Sequence, residues 1–545
     1  VASIPYKTRP RQKQLVALER SEGMDAFAYF MEMRTGKTKV TLDDAARAAL
    51  DGKIDTLVVL APNGVHRQWV EDQVPKHMAI PTTSAFYRAQ GRVAHQRQFE
   101  SVLREPTDDF RVLAFNVEAA ASDRGKAAIR HAVAKYRTML VIDESDTVKT
   151  PGAKRTKFLL GAARHAKMTR ILTGTPITQS PLDLYAQYKF LDPSIIGFGT
   201  FAAFRSRYAV LMDPTDRRAQ AIARKVMGTK TDAQLHAIYN RAVPMIHRER
   251  FRNRQELITA ILQTCPQSVV PPMIAEDDNG RKIYRNLEEL EAKIAPFTYR
   301  LKASECEDLP ALVPIVLPVE LTPEQRRIYN EMLEKAVALL EPPPTPTDDV
   351  LQWYLDNDRI EASNALGKLL RAQQVLGGHV PDTDGKMRFI KHNRIKALLD
   401  FLPQVQGKCI IWARFRPEIE EIVFAIREEY GRDSVVEFHG GIDDEKRTAN
   451  KRRFQDPEGN AQFLVGQPAA GGVGHTFDAA DTVIFYSNSF SARTRWQAEV
   501  RASAVGKESI AVVDLIAHGT IDEKIIRALE ACRQQAEEFD YENKD

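Results

Sequence analysis

The chain has 545 residues, 43% of them hydrophobic and 28% charged, which are the proportions of a globular protein with several cores. Lys and Arg outnumber Asp and Glu by 77 to 73, and a net charge of +4 neither demands nor excludes a nucleic-acid partner. The cysteines Cys265, Cys306, Cys409 and Cys532 lie far apart, and no run approaches the ~18 apolar residues of a membrane span. The expectation is a chain of a reducing cytoplasm with no disulfide framework, no zinc and no membrane contact.

The opening Val1 to Arg11 is polar and proline-punctuated, without the apolar core of a signal peptide. The first chemical signal is Met33-Arg34-Thr35-Gly36-Lys37-Thr38, ahead of a helix-like stretch from Val40 to Leu50. A Gly-Lys-Thr turn opening a helix offers backbone N–H groups and a helix N-terminus to phosphate. In such a loop Lys37 reaches the β- and γ-phosphates and the Thr38 hydroxyl holds magnesium. The strict pattern wants a glycine five positions before Gly36, where Met31 stands, so the tripeptide alone is a weak signal.

Short apolar runs then alternate with helix-like stretches from Asp55 to about Pro193. They are Leu57–Leu60, Val112–Phe115, Met139–Ile142 and Ile171–Leu172, and each reads as a buried strand of a parallel sheet. Asp143 and Glu144 follow the third run, at the strand end where open α/β sheets bind ligands. Asp143 can hold magnesium and Glu144 can orient and deprotonate a water, the two tasks of phosphoryl transfer to water. An isolated Asp-Glu pair is more often an acidic turn. After the fourth run comes Thr173-Gly174-Thr175-Pro176, whose small hydroxyl residues suit a close turn beside a nucleotide.

From about Phe198 to Leu399 the pattern is mostly helical with few strand signals. Thr322-Pro323-Glu324 starts a helix expected to run to Leu340, ahead of the proline-rich Pro342 to Pro346. The arginine-rich His247 to Arg254 could touch phosphates and reads equally as a solvated helix face. The strand rhythm returns at Cys409–Trp412, Val435–Val436, Phe463–Val465, Val483–Phe485 and Ile510–Leu515. The expected fold class is therefore α/β, with two separate parallel sheets and helical insertions between them.

At these residues the chain resembles the Swi/Snf-type ATPases of helicase superfamily two. Met31 to Thr38 looks like the family's D-E-M-G-L-G-K-T, with Arg34 replacing a glycine, and Asp143-Glu144-Ser145-Asp146 stands for D-E-x-H. Leu172 to Ile177 is close to L-T-G-T-P-I, and Leu60-Ala61-Pro62 followed by Trp69 resembles the segment that contacts the nucleic-acid backbone. Arg300-Leu301-Lys302 and Leu309-Pro310 resemble the family's R-R-x-K…L-P link, and Gly519 to Ile525 its closing pattern.

The resemblance implies two RecA-like lobes that hydrolyse ATP with Mg²⁺ between them. It divides the chain into lobe 1 at 1–195, a helical insertion at 196–310, a helical lead-in at 311–400 and lobe 2 at 401–545. The expected catalytic residues are Lys37, Asp143, Glu144 and Arg501. The expected nucleotide contacts are Gln12 to adenine, then Arg34, Thr35, Gly36, Lys37, Thr38, Gly474 and Gln497, with magnesium on Thr38 and Asp143. The implied track is DNA, double-stranded DNA being favoured with single-stranded DNA left open, gripped at Pro62, Asn63, Asn116, Gly440, Gly441 and Gly472. Protein partners from a replication or repair machine, and a bacterial or phage-infected cell, fit the compact form.

One motif departs from the family. Its Q-A-x-D-R-x-x-R-x-G-Q reads here as Gln497 to Lys507, with Val500 for the aspartate and Ala504 for the second arginine. An arginine reaching the γ-phosphate is worth ~10³ or more in rate. Hydrolysis is therefore expected to be weak unless Arg501 suffices or Arg414, Arg493 or Arg495 substitutes. The leading expectation is an ATP-dependent DNA translocase or helicase. The alternatives are an ATP-gated nucleic-acid clamp, an RNA helicase, and a motor subunit of a restriction or packaging assembly.

Overall fold

The structure, a computed structural model, describes residues 5–89, 93–177, 180–228, 230–243, 251, 253–264, 273–275, 282–306, 309–334, 362–381, 386–469, 476–504 and 506–538. It divides into two compact units, one of residues 1–196 with 294–545 and one of 197–293.

The first unit holds both expected sheets. The first comprises β1 (Ala26–Met31), β2 (Thr56–Ala61), β3 (Thr82–Phe86), β4 (Phe110–Asn116), β5 (Thr138–Asp143), β6 (Met168–Leu172) and β7 (Thr298–Leu301). Their order is β3-β4-β2-β5-β6-β1-β7, and every pairing is parallel. The second sheet comprises β8 (Ala311–Val319), β11 (Lys408–Trp412), β12 (Val435–Phe438), β13 (Phe463–Gly466), β14 (Ala480–Phe485) and β15 (Ser509–Ala517). Its order, β12-β13-β11-β14-β15-β8, is also parallel throughout. A short hairpin of β9 (His379–Pro381) and β10 (Met387–Phe389) stands apart.

Both faces of the inner strands of the second sheet are buried, which is why those strands read as unbroken apolar runs. Cys409, Ile411, Val465 and Ile484 enter one core cluster, and Ile410, Trp412, Leu464, Val483 and Phe485 enter another. Successive side chains alternate between faces, so one continuous run supplies two cores.

Two strands lie in the stretch read as helical. β7 falls within 196–310 yet joins the edge of the first sheet beside β1. β8 lies beside β15 over nine residue pairs at the edge of the second sheet, with Val313, Ile315 and Val316 exposed. Pro314 and Pro318 hid it, because a residue lacking N–H is tolerated in a strand only at an edge. β1 and β3 also passed unread, although Ala26–Met31 is a run of six apolar residues.

The helix Lys37–Leu50 begins at the loop lysine, close to the expected start. The helix Pro323–Glu334 is capped as Thr322 signals, the Thr322 hydroxyl accepting Gln325 N–H while Gln325 Oε1 accepts Thr322 N–H. The remainder of that expected helix, the Pro342 to Pro346 run and most of His247 to Arg254 lie outside the described residues.

The second unit contains the helices Phe201–Tyr208, Arg217–Gly228, Asp232–Ala242 and Arg254–Thr264. Ala219, Ala223, Met227, Leu235, Tyr239, Leu257 and Ile261 form its core. Arg254 binds the Asp232 carboxylate and the carbonyls of Met227, Gly228 and Lys230. No helix among the described residues is long and apolar enough to cross a membrane.

Candidate functional site

Because the first sheet is wholly parallel, every strand delivers its following loop to the same edge. The phosphate-loop residues leave β1, Asp143 ends β5, Thr173 to Pro176 leave β6, Pro62 and Asn63 leave β2, and Asn116 ends β4. The order β4-β2-β5-β6-β1 sets these loops side by side.

Gly36 has φ +94° immediately before the helix Lys37–Leu50, a turn that favours glycine. A Cβ there would meet Gln14 Nε2 at 2.0 Å, so a side chain at this position would displace the Gln14 amide. Lys37 Nζ donates to Met31 O at 2.7 Å, and Thr35 Oγ1 donates to Glu32 O at 2.7 Å. Thr38 lies in the first helical turn and is half-buried.

Gln12, expected beside a nucleotide base, is exposed at the start of the helix Gln12–Arg20. Gln14, two residues on, reaches the phosphate loop. Its Nε2 donates to Thr35 O at 3.0 Å and its Oε1 accepts Arg11 N–H at 3.0 Å. Arg11 Nη2 adds a bond of 2.9 Å to Arg34 O. Helical spacing of the preceding turn could have pointed to Gln14.

Asp143 and Glu144 are both buried. Asp143 Oδ2 accepts the indole N–H of Trp69 at 2.9 Å, and Oδ1 accepts Glu144 N–H at 3.1 Å. Burial, then the charge of Glu144, push the Asp143 carboxyl up to about 6, against the pull of Trp69 and Lys37. Glu144 has φ +54°, a left-handed backbone rare outside glycine and common at functional turns.

Gln187, which carries no motif, locks two loops together. Its Oε1 accepts Ser145 Oγ–H at 2.7 Å while its Nε2 donates to Pro176 O at 2.7 Å. Gly174 packs against the phosphate loop, since a Cβ would lie 3.2 Å from Glu32 Cα.

The second sheet brings arginines to these carboxylates. Arg501 is buried in the turn Val500–Ala502, its guanidinium pulled down to about 10 by burial and by the charge of Arg34, with Glu144 opposing. Arg493 pairs with Asp146 at 2.7 Å and lies 3.8 Å from Glu144. Of the other candidate substitutes for the residue missing at Ala504, Arg495 is buried against Asp514 and Glu499, and Arg414 binds Gln373. Gln497 and Arg493 share with Glu32, Glu144, Arg300 and Lys302 the wall of a cavity of about 570 Å³.

Lys37, Asp143, Glu144, Arg34, Arg501 and Gln497 therefore gather in one region of the first unit. Pro62, Asn63 and Asn116 stand on the same edge of the first sheet, Ala61 and Asn116 being register partners. Gly440 and Gly441 are exposed after β12 on the second sheet. Gly472 and Gly474 lie outside the described residues.

Two family descriptions match the chain: the SNF2-related domain over residues 27–343 and the helicase conserved C-terminal domain over 391–506. The chain is 23% identical over 400 residues to the TATA-binding protein-associated factor MOT1 of Saccharomyces cerevisiae, covering 71% of this chain and 19% of that protein. It is 24% identical over 252 residues to Protein CHROMATIN REMODELING 4 of Arabidopsis thaliana, covering 44% of this chain and 11% of that protein. It thus spans less than a fifth of either relative's length. The Sulfolobus solfataricus SWI2/SNF2 ATPase core solved with dsDNA aligns over 99% of this chain and 94% of its own at 19% identity. Its TM-score of 0.38 is too low to argue from. The match over 27–343 covers more than half of the sequence, and the chain belongs to the SNF2-related domain family.

Proposed function

We propose that this chain hydrolyses ATP between two RecA-like lobes and uses the cycle to move along double-stranded DNA with little sequence specificity. The observation that carries the reading is the meeting of the Gly36-Lys37-Thr38 turn, the buried Asp143–Glu144 pair and buried Arg501 within one unit. The donors suit magnesium and ATP: N–H groups at a helix N-terminus, an ammonium, a hydroxyl and a buried carboxylate. Lys37 and the loop N–H groups would hold the phosphates, Thr38 and Asp143 would hold magnesium, and Gln497 lines the cavity that would take the nucleotide. Gln12 and Gly474 are assigned to the nucleotide, and Gly472 to DNA, on the resemblance alone.

Glu144 takes the proton of the attacking water, and Arg501 meets the charge that develops on the γ-phosphate. Contacts from both lobes favour closure around ATP, and hydrolysis releases it. Pro62, Asn63, Asn116, Gly440 and Gly441 supply backbone and amide contacts to DNA phosphates, which position the duplex without reading its sequence. Similarity to proteins named for chromatin remodelling and for TATA-binding protein association supports DNA as the track.

Ala504 favours a second reading, a clamp that closes on ATP and DNA and turns over slowly. Steady-state hydrolysis with no nucleic acid, single-stranded DNA, duplex DNA and RNA, with Glu144→Gln as the blank, separates the two. Stimulation by duplex DNA supports the translocase. Rates at the blank with ATP-dependent DNA retention support the clamp, and stimulation by RNA alone overturns both. Ala504→Arg raises turnover if the missing arginine limits the rate, and leaves it unchanged if Arg501 suffices.

A further inference from the structure

Arg34 stands where the resemblance places a glycine, and it does more than fill the loop. Its backbone is left-handed, φ +69°, a conformation a glycine adopts freely and a long side chain does not. Its guanidinium projects from the phosphate loop to the second sheet's segment. Nε donates to Val500 O at 3.1 Å, Nη2 to Arg501 O at 2.5 Å, and Nη2 pairs with Asp478 Oδ1 at 2.9 Å. These carbonyls belong to the turn that closes the helix Ala492–Glu499, where acceptors outnumber donors and a cation is favoured. Two contacts from one planar fork hold the turn, and the third ties the same fork to Asp478, an arrangement a single ammonium reproduces less well.

The turn so held carries Arg501. Arg501 O also accepts Phe477 N–H at 3.0 Å, so its backbone is tied from two directions. Three cations crowd here. Burial pulls the Lys451 ammonium below its ordinary value, Asp72 and Asp478 oppose that shift, and the charges of Arg34 and Arg501 add to it.

We infer that Arg34 is a positioning residue: from the phosphate loop it holds the Val500–Ala502 turn so that Arg501 is set against the γ-phosphate, offsetting the arginine absent at Ala504. The inference rests on the hydrolysis reading above. It makes phosphate binding at the loop and the placement of Arg501 a single event, because one residue belongs to both.

The test compares the unaltered 545-residue chain, Arg34→Gly, Arg34→Lys, Ala504→Arg and the Arg34→Gly/Ala504→Arg double variant. Glycine suits the backbone at this position, so loss in Arg34→Gly reports the guanidinium rather than a distorted loop. A thermal melt within a few degrees of wild type checks folding. DNA-stimulated kcat is expected to fall roughly tenfold or more in Arg34→Gly, with a much smaller change in KM for ATP. Arg34→Lys is expected to fall between the two, and the double variant to regain turnover over Arg34→Gly. Without nucleotide, amide exchange across Val500 to Ser503 is expected to rise in Arg34→Gly. Unchanged exchange, wild-type kcat, or a loss confined to KM in Arg34→Gly overturns the inference. A wild type no faster than Glu144→Gln overturns the hydrolysis reading instead, and the exchange measurement then still decides whether Arg34 holds the turn.

Discussion

Trp69 donates its indole N–H to Asp143 Oδ2 at 2.9 Å, joining the segment after β2 to the carboxylate that ends β5. The segment resembles one that contacts a nucleic-acid backbone, yet its tryptophan is 1% exposed and turned inward. A shift at Pro62 and Asn63 therefore has a direct route to Asp143 through a rigid ring.

Trp69→Phe keeps the buried ring and removes only the donor. A hydrogen bond to a charged group contributes about 1.5–3 kcal/mol, so hydrolysis is expected to fall about tenfold or more if that bond matters to turnover. Steady-state kinetics with and without duplex DNA are the check. Stimulation by DNA is expected to fall further than the basal rate.

Gln187→Ala removes the one side chain that bonds both Ser145 and Pro176, leaving a buried hydroxyl and a carbonyl to find new partners. A cost of about 1–3 kcal/mol is expected. It should show as a lower urea midpoint together with lower kcat, because the Asp143–Glu144 and Thr173–Pro176 loops lose their common brace. Gln187→Glu keeps the shape and loses the donor, and should retain the Ser145 bond alone.

Asp44 is the centre of a buried network. It accepts Arg170 Nε at 2.8 Å, Tyr29 Oη–H at 3.0 Å and Arg47 Nη2 at 2.7 Å, with Arg170 and Asp44 fully buried. Asp44→Ala strands the Arg170 charge, and breaking such a pair costs about 3–5 kcal/mol. The urea midpoint should fall by more than in Gln187→Ala. Replacing Arg170 and Asp44 together by apolar residues should recover part of the loss.

His77 Nδ1 lies 2.6 Å from Thr8 Oγ1, and burial followed by the charges of Lys39 and Lys76 pull its pKa down from 6.5 to about 4. The unfolded chain therefore binds a proton between these values that the folded chain does not. His77 thus makes no pH-dependent penalty above 6.5, and stability is lost as pH falls through 6.5 towards 4. His77→Gln should flatten this slope. Melting temperatures of both proteins at about pH 7.5 and about pH 5 check it, and equal slopes would exclude the histidine as the cause.

Most of the architecture was legible before folding because it is local. Runs such as Val112–Phe115 and Phe463–Val465 are apolar throughout, and their shortness together with the turn or polar residues that follow them marks them as buried strands of a parallel sheet. The order of Lys37, Asp143–Glu144, Thr173–Pro176 and Arg501 along the chain was likewise enough to place them in one family. The edge strand β8 escaped because it keeps Val313 and Val316 exposed and contains two prolines, whereas β1, internal and buried, carried the apolar signal and was still passed over.

What folding alone decided are partnerships between residues far apart in sequence, which no spacing encodes. Gln14 meets the carbonyl of Thr35 in the phosphate loop because its side of the helix Gln12–Arg20 packs there. Asp143 meets Trp69, and Ser145 meets Gln187, because parallel strands deliver their loops to one edge. Arg34 departs from the family's motif, and only in three dimensions does its guanidinium meet the carbonyls of Val500 and Arg501, 466 and 467 residues along the chain. The physical reason is the same in each case: apolar periodicity is written into a short window of sequence, whereas a buried polar group finds its partner only after the sheets have brought distant loops together.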